Sequence, residues 1–284
     1  MLIKSPRDLK NIKRSGALLG QILATLVKRC TPGVSTWELD QLAETLVREA
    51  GGRPAFKGYE TVHASYPFPA TLCVSLNEEL VHGIPRHSRV LKSGDLVSLD
   101  IGMEWPYQGK RRKLALSKAE GGKGKSDGGV FTDTAITVSV GKAKPAVSKL
   151  MAVTRAALAE GIKAAQPGNS VAAIGKAVET YVKAQGNYGI IRDLVGHGVG
   201  HAVHEEPYIP NYYDRALEGI ILKPGMVIAI EPMISLGGLA VATLPDGWTI
   251  KTADHSLCAH FEHTVIITEQ GNVVATRRPD ESKL

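Results

Sequence analysis

An α+β fold with two similar halves is expected from three features of the sequence. Helix-periodic segments come in two pairs. Each pair is followed by strand-like sequence. The order is not the regular βαβ alternation of a doubly wound sheet. The first helix is expected from about Asp8 to Lys28, where Ile12, Leu19, Ile22, Leu23 and Leu26 recur at helical spacing and form one apolar stripe. Thr31, Pro32 and Gly33 end it. A second helix starts at Ser35, with Glu38 three residues on. The serine oxygen can accept a free backbone N–H there, and the glutamate returns the bond. Gly51 and Gly52 stop this helix.

Strand patterns follow. Leu72 to Leu76 is one. Leu96 to Gly102 is another, with Val97, Leu99 and Ile101 on one face and Ser98 and Asp100 on the other. Phe131 to Val140 alternates as well, with Thr132, Thr134, Ile136 and Val138 against Asp133, Ala135 and Thr137. Two more helices are expected at about Pro145 to Ala165 and Val171 to Gln185, separated by Pro167, Gly168 and Asn169. Beyond Gly189 the pattern is short strands and loops, with strands at Met226 to Glu231 and Phe261 to Thr268.

At 284 residues, 43% hydrophobic and 22% charged, the chain can build a sizeable core and does not read as disordered. No apolar run approaches the roughly 20 residues that span a bilayer. The first residues lack the apolar core of a secretory signal. Cys30, Cys73 and Cys258 are odd in number and form no CxxC pair, which argues against a disulfide scaffold or zinc ribbon and fits a reduced cytoplasm. Most of the net charge of +6 lies in one stretch. Lys110, Arg111, Arg112, Lys113, Lys118, Lys123 and Lys125 there face only Glu104, Glu120 and Asp127. Its Gly- and Lys-rich composition reads as an exposed, mobile insertion in a hairpin, a solvated loop before it is a nucleic-acid surface.

The chemistry concentrates elsewhere. Six of the nine histidines (His197, His201, His204, His255, His260, His263) lie in one part of the chain. Gly196, Gly198 and Gly200 flank the first of them and let side chains approach an ion or substrate closely. Asp100 and Asp133 each interrupt an apolar or Thr-rich strand. The solvated face of an edge strand would explain either one alone. Two on consecutive strands favour a shared cation, because an isolated buried charge is very costly. Glu231 directly follows an apolar strand and Glu262 directly precedes one. Four carboxylates and the His197 imidazole exceed the needs of one ion and balance two. Oxygen-rich ligation suits Mn, Fe(II), Co or Mg better than a thiolate zinc site. Two such ions can activate water and polarise a carbonyl.

The ordered set LVHGIP (His82), VSLDIG (Asp100), FTDTA (Asp133), GHGVGHAVHEEP (His197, His204), IEPM (Glu231), DGWTIKT (Trp248) and FEHT (Glu262) resembles the type I methionine aminopeptidases from about Ile3 to Thr276. The resemblance implies the pita-bread fold: curved antiparallel sheets, flanking helices and pseudo-twofold related halves. It implies one metallopeptidase catalytic domain over 1–284, with the basic loop insertion at about 104–129. It also implies removal of initiator methionine from nascent polypeptides whose second residue is small, by hydroxide held between two divalent ions drawn from Co, Mn, Fe(II), Zn or Ni. Asp100 would chelate one ion, Asp133 and Glu262 would bridge both, and His197 and Glu231 would complete the second. Glu231 would also be the general base. His82 would contact the scissile bond and help protonate the leaving amine, and His204 would hydrogen-bond the scissile carbonyl. Tyr66, Phe68, Cys73 and Trp248 match the region of the methionine pocket, although Cys73 reads equally well as a small buried hydrophobe. A cytoplasmic monomer with a transient ribosome contact and no membrane association completes the expectation.

The chain departs from the family in four places. The segment 101–132 is longer than the usual hairpin. His63 stands where a pocket cysteine is common, His260 where a glutamine is common, and Val203 where an aromatic is common. Two other readings share the fold. An Xaa-Pro peptidase usually carries a large N-terminal domain and an Arg-containing motif in place of FEHT. A non-catalytic scaffold characteristically loses metal ligands, and all five are present here.

Overall fold

The computed structural model describes residues 3–62, 64–107 and 128–281. His63 and the lysines and arginines of the basic segment lie outside them. The elements run α1 (Pro6–Val27), α2 (Thr36–Glu49), β1 (Arg53–Pro54), β2 (Leu72–Leu76), β3 (Glu79–Val81), β4 (Leu96–Trp105), β5 (Val130–Ser139), α3 (Pro145–Ala164) and α4 (Val171–Gln185). Short strands follow: β6 (Gly189–Ile190), β7 (Gly196–Gly198), β8 (Glu205–Ile209), β9 (Val227–Ile230), β10 (Met233–Ser235), β11 (Val241–Thr243), β12 (Ile250–Thr252), β13 (Cys258–His260), β14 (His263–Thr268) and β15 (Gly271–Val274).

The helix ends follow local chemistry. α1 starts two residues earlier than its apolar stripe suggests, because Ser5 accepts from the Asp8 N–H and Pro6 fits the first turn. α2 carries the expected reciprocal cap, with Ser35 and Glu38 bonding each other's backbone N–H.

The two helix pairs back two different sheets, and every strand pairing is antiparallel. Leu19, Leu23 and Leu26 of α1 and Leu39, Ala43 and Val47 of α2 pack on Leu72, Val74, Leu99 and Ile101. Leu150, Val153 and Leu158 of α3 and Ile174 and Val178 of α4 pack on Ile228, Ile230, Val265 and Ile267. Each fully buried side chain of this size contributes about 1.5–3 kcal/mol. In the first half β4 runs inside its sheet, with β5 along one edge and β2 and β1 along the other. In the second half the order is β15-β14-β9-β7-β8. The C-terminal segment crosses α1 so closely that a β-carbon at Gly16 would lie 2.5 Å from the Ala275 carbonyl oxygen. All three cysteines are free and buried. Among the described residues no helix is long and apolar enough to cross a membrane.

Candidate metal centre

Strand register brings the acids together. In the β4–β5 ladder Asp100 faces Ala135 and Gly102 faces Asp133, so the two aspartates are diagonal neighbours on one face. The edge-strand explanation therefore fails for both. β4 is interior, and Asp133 is buried, with the free edge of β5 covered by the chain around Glu262. In the other half His197 faces Ala229 and His263 faces Ile230. Glu231 and Glu262 each lie one step past that last pair, and Glu231 shares the face of His197.

Threonines join the two halves at these ligands. Thr134 Oγ1 donates to the Glu262 carbonyl and Thr264 Oγ1 to the Asp133 carbonyl, each at 2.8 Å. The Asp133 N–H donates to Thr264 Oγ1 at 2.9 Å, and the Glu262 N–H to the Ala135 carbonyl at 3.0 Å. The Thr-rich pattern of β5 is thus a row of buried, bonded hydroxyls.

Asp133, His197 and Glu262 bring one ligand atom each within 4.8 Å of one another. Glu231 Oε1 lies 3.6 Å from His197 Nε2. His197 Nδ1 is 2.9 Å from the Gly198 carbonyl, so Nδ1 carries the proton and the Nε2 lone pair faces the acids. Asp100 Oδ1 and Asp133 Oδ1 are buried without a hydrogen-bond partner. Burial raises the Asp100 carboxyl to about 6, and Glu231 adds to the rise. Burial first, then neighbouring acids, push Asp133 and Glu262 well above the usual carboxylate range. Acids so arranged resist ionisation unless a cation joins them, and the oxygen-rich donor set with one imidazole fits divalent ions.

A cavity of about 720 Å³ opens beside this cluster, lined by Phe56, Tyr59, Phe68, Cys73, Met233 and Trp248 together with the five ligand candidates, His82 and His204. His82 follows β3 with a left-handed φ of 58°, a strained setting of the kind found at functional sites. Burial lowers its imidazole to about 4 and that of His204 well below 6.5, so both rings stay neutral near pH 7. Asp246 accepts the Trp248 and Thr249 N–H groups, which fixes the indole edge-on to Phe68 at 5.2 Å. Cys73, buried on β2, lies opposite Asp100, and both are part of the cavity wall. Tyr66 is not brought to the cavity. It is 40% exposed, and it acts on the wall through its carbonyl, which accepts the Trp248 Nε1–H at 3.0 Å.

Three residues were missed or only half read in the sequence. Tyr59 bonds His204 Nδ1 at 2.8 Å, and burial pushes its phenol up to about 12. His260, noted as a departure, lies with Nε2 3.3 Å from Glu231 Oε2 and with neither ring nitrogen hydrogen-bonded. Arg278, beyond the last motif, is fully buried and bonds Thr134 Oγ1 and the Ala135 carbonyl behind the cluster.

Unpartnered carboxylate oxygens converging beside a cavity at the junction of two helix-backed antiparallel sheets define a metal-binding protein of a kind suited to hydrolysis. Residues 10–110 and 123–269 match metallopeptidase family M24, and the chain belongs to that family. The match breaks only within the basic segment. Among its relatives, methionine aminopeptidase 1 of Bacillus subtilis is 42% identical over 277 residues, covering 98% of this chain and 99% of that one. The methionine aminopeptidase of Aquifex aeolicus is 39% identical, with coverage of 96% and 97%. The crystal structure of the Thermotoga maritima methionine aminopeptidase superposes with a TM-score of 0.84 at 36% identity, covering 98% of this chain and 100% of that one. A prolidase from Pyrococcus horikoshii shares the fold, with a TM-score of 0.68 and 22% identity, but this chain covers only 64% of it.

Proposed function

We infer that this chain is a metal-dependent aminopeptidase that removes N-terminal methionine from new polypeptides when the next residue is small. The observation that carries this reading is the buried acid cluster with unpartnered Asp100 and Asp133 oxygens, in a chain matched end to end by methionine aminopeptidases. Asp100, Asp133, His197, Glu231 and Glu262 would hold two divalent ions. Such ions lower the pKa of water and polarise a carbonyl when bound.

The chain's own groups do the rest. Glu231 accepts the proton of the attacking water. His204 donates a hydrogen bond to the scissile carbonyl oxygen and strengthens it as negative charge develops there. His82, neutral in this setting, contacts the scissile amide and helps relay to the leaving amine the proton that Glu231 has taken from the water. Phe68, Cys73 and Trp248 wall the methionine side chain and exclude water, while Tyr66 holds the Trp248 indole. Free buried thiols suit a cytoplasmic site of action.

The test is hydrolysis of Met-Ala-Ser and Met-Lys-Ser with and without added Mn or Co, with metal analysis of the active form. Only Met-Ala-Ser should be cleaved well, and only with metal present. Asp133→Ala and Glu262→Ala should abolish cleavage while the protein stays folded. Full activity of either variant in metal-free form would overturn the reading.

A further inference from the structure

We propose that Tyr59 is a positioning residue that fixes the His204 ring with its proton on Nε2, the form able to donate to a substrate carbonyl. The inference rests on the reading of His204 as that donor.

A neutral imidazole carries one proton, on either nitrogen, and its other nitrogen only accepts. The Tyr59 hydroxyl lies 2.8 Å from His204 Nδ1. Among the described residues, the His204 ring makes no other hydrogen bond. A phenol can donate or accept, so the pair has two arrangements. In one, Nδ1–H donates to the hydroxyl, and Nε2 is left a bare acceptor that would repel a carbonyl oxygen. In the other, the hydroxyl donates to Nδ1, and the ring proton must sit on Nε2. Only the second arrangement serves an oxyanion.

Both partners are held by their own loops. Tyr59 lies in a loop closed by Gly58 N–H donating to the Phe68 carbonyl and Phe68 N–H donating to the Tyr59 carbonyl, each at 2.8 Å. On the other side, Glu205 Oε1 accepts the His201 and Ala202 N–H groups, while its second oxygen pairs with buried Lys4. The Phe131 N–H, on β5 beside Asp133, donates to the Gly200 carbonyl at 2.7 Å. The bond therefore joins two fixed loops that line the cavity. The ring also packs edge-on against His197, with centroids 4.4 Å apart, which limits its rotation.

The experiment compares wild type, Tyr59→Phe and His204→Ala. Tyr59→Phe keeps the ring that lines the cavity and removes only the hydroxyl. Its kcat on Met-Ala-Ser should fall about tenfold, less than the roughly 100- to 1000-fold expected for losing the donor itself. KM and bound-metal content should stay near wild type. In ¹⁵N-histidine-labelled protein loaded with diamagnetic Zn, the His204 resonances, assigned by their absence in His204→Ala, should report Nε2–H in wild type. Tyr59→Phe should show a mixture of the two forms. Unchanged kcat and tautomer in Tyr59→Phe, or a rise in KM alone, would reduce Tyr59 to a cavity wall and overturn the proposal. Full activity in His204→Ala would instead overturn the donor reading on which it rests.

Discussion

Asp100 sits where burial and neighbouring negative charge oppose its ionisation. The consequence for stability has a definite sign. With its carboxyl raised from 3.8 to about 6, folded metal-free protein holds a proton between those values that the unfolded chain has released. This contribution is complete below about pH 4 and is lost as pH rises through 6. Metal binding needs the ionised acids, so ion affinity should rise over the same range. Urea unfolding of chelator-treated wild type and Asp100→Asn, from pH 4.5 to 7.5, isolates the effect: wild type should lose stability relative to the variant as pH rises. A constant difference would mean that Asp100 ionises normally. The same physics made this residue legible beforehand, since a carboxylate between Leu99 and Ile101 needs a reason to be there. Tyr59 carried no such signal. A tyrosine after glycine in a loop has no periodicity, and its role depends on a histidine far away in sequence.

β5 shows what alternation leaves unsaid even in a correctly placed strand. Its range was legible from alternation, but its threonines look like the polar face of a half-exposed sheet. Instead Ser15 bonds Thr132, Ser98 bonds Thr137, and Thr134 reaches the Glu262 carbonyl. Hydroxyl partners lie on distant elements, so local sequence cannot reveal them. Strands of two or three residues, such as β6 and β7, are too short to establish a period at all. The threonine seam has a measurable role. Thr264→Val keeps the side-chain shape but removes both the donor to the Asp133 carbonyl and the acceptor for the Asp133 N–H. An unsatisfied buried N–H costs about 1–3 kcal/mol. The variant should lose that much in urea unfolding and should bind Mn more weakly in calorimetry, because the Asp133 backbone is no longer held. Thr25→Val, on the exposed face of α1, should change stability by less than about 0.5 kcal/mol. Equal effects of the two changes would count against a special role for the seam.

Across the molecule, each half is a helix pair on a sheet, and neither half holds all five proposed ligands. Asp100 and Asp133 come from the first, and His197, Glu231 and Glu262 from the second. The ions would therefore also tie the halves together. The break in the family match falls between the two aspartates, and the strands that carry them are paired independently of it. The β4–β5 ladder runs in register from Leu96 and Ser139 to Trp105 and Val130, with both aspartates inside it. Its open end is anchored independently. Trp105 Nε1–H donates to the Ala50 carbonyl at 2.9 Å, Tyr107 N–H to the Gly51 carbonyl at 3.0 Å, and Gly129 N–H to Glu104 Oε1 at 3.2 Å. Closing a longer loop adds only about 0.6 kcal/mol for each doubling of length. Replacing residues 110–125 by a short Gly-Ser turn should therefore leave kcat/KM on Met-Ala-Ser within about twofold of wild type. The same change removes Lys110, Arg111, Arg112, Lys113, Lys118, Lys123 and Lys125, the densest positive charge in the chain. If that charge meets ribosomal RNA, ribosome affinity should fall and its dependence on salt should become shallower, as fewer phosphate contacts displace fewer counterions. Unchanged affinity at low salt would leave the segment a spacer. Loss of tripeptide hydrolysis would show that the metal-bearing strands depend on it after all.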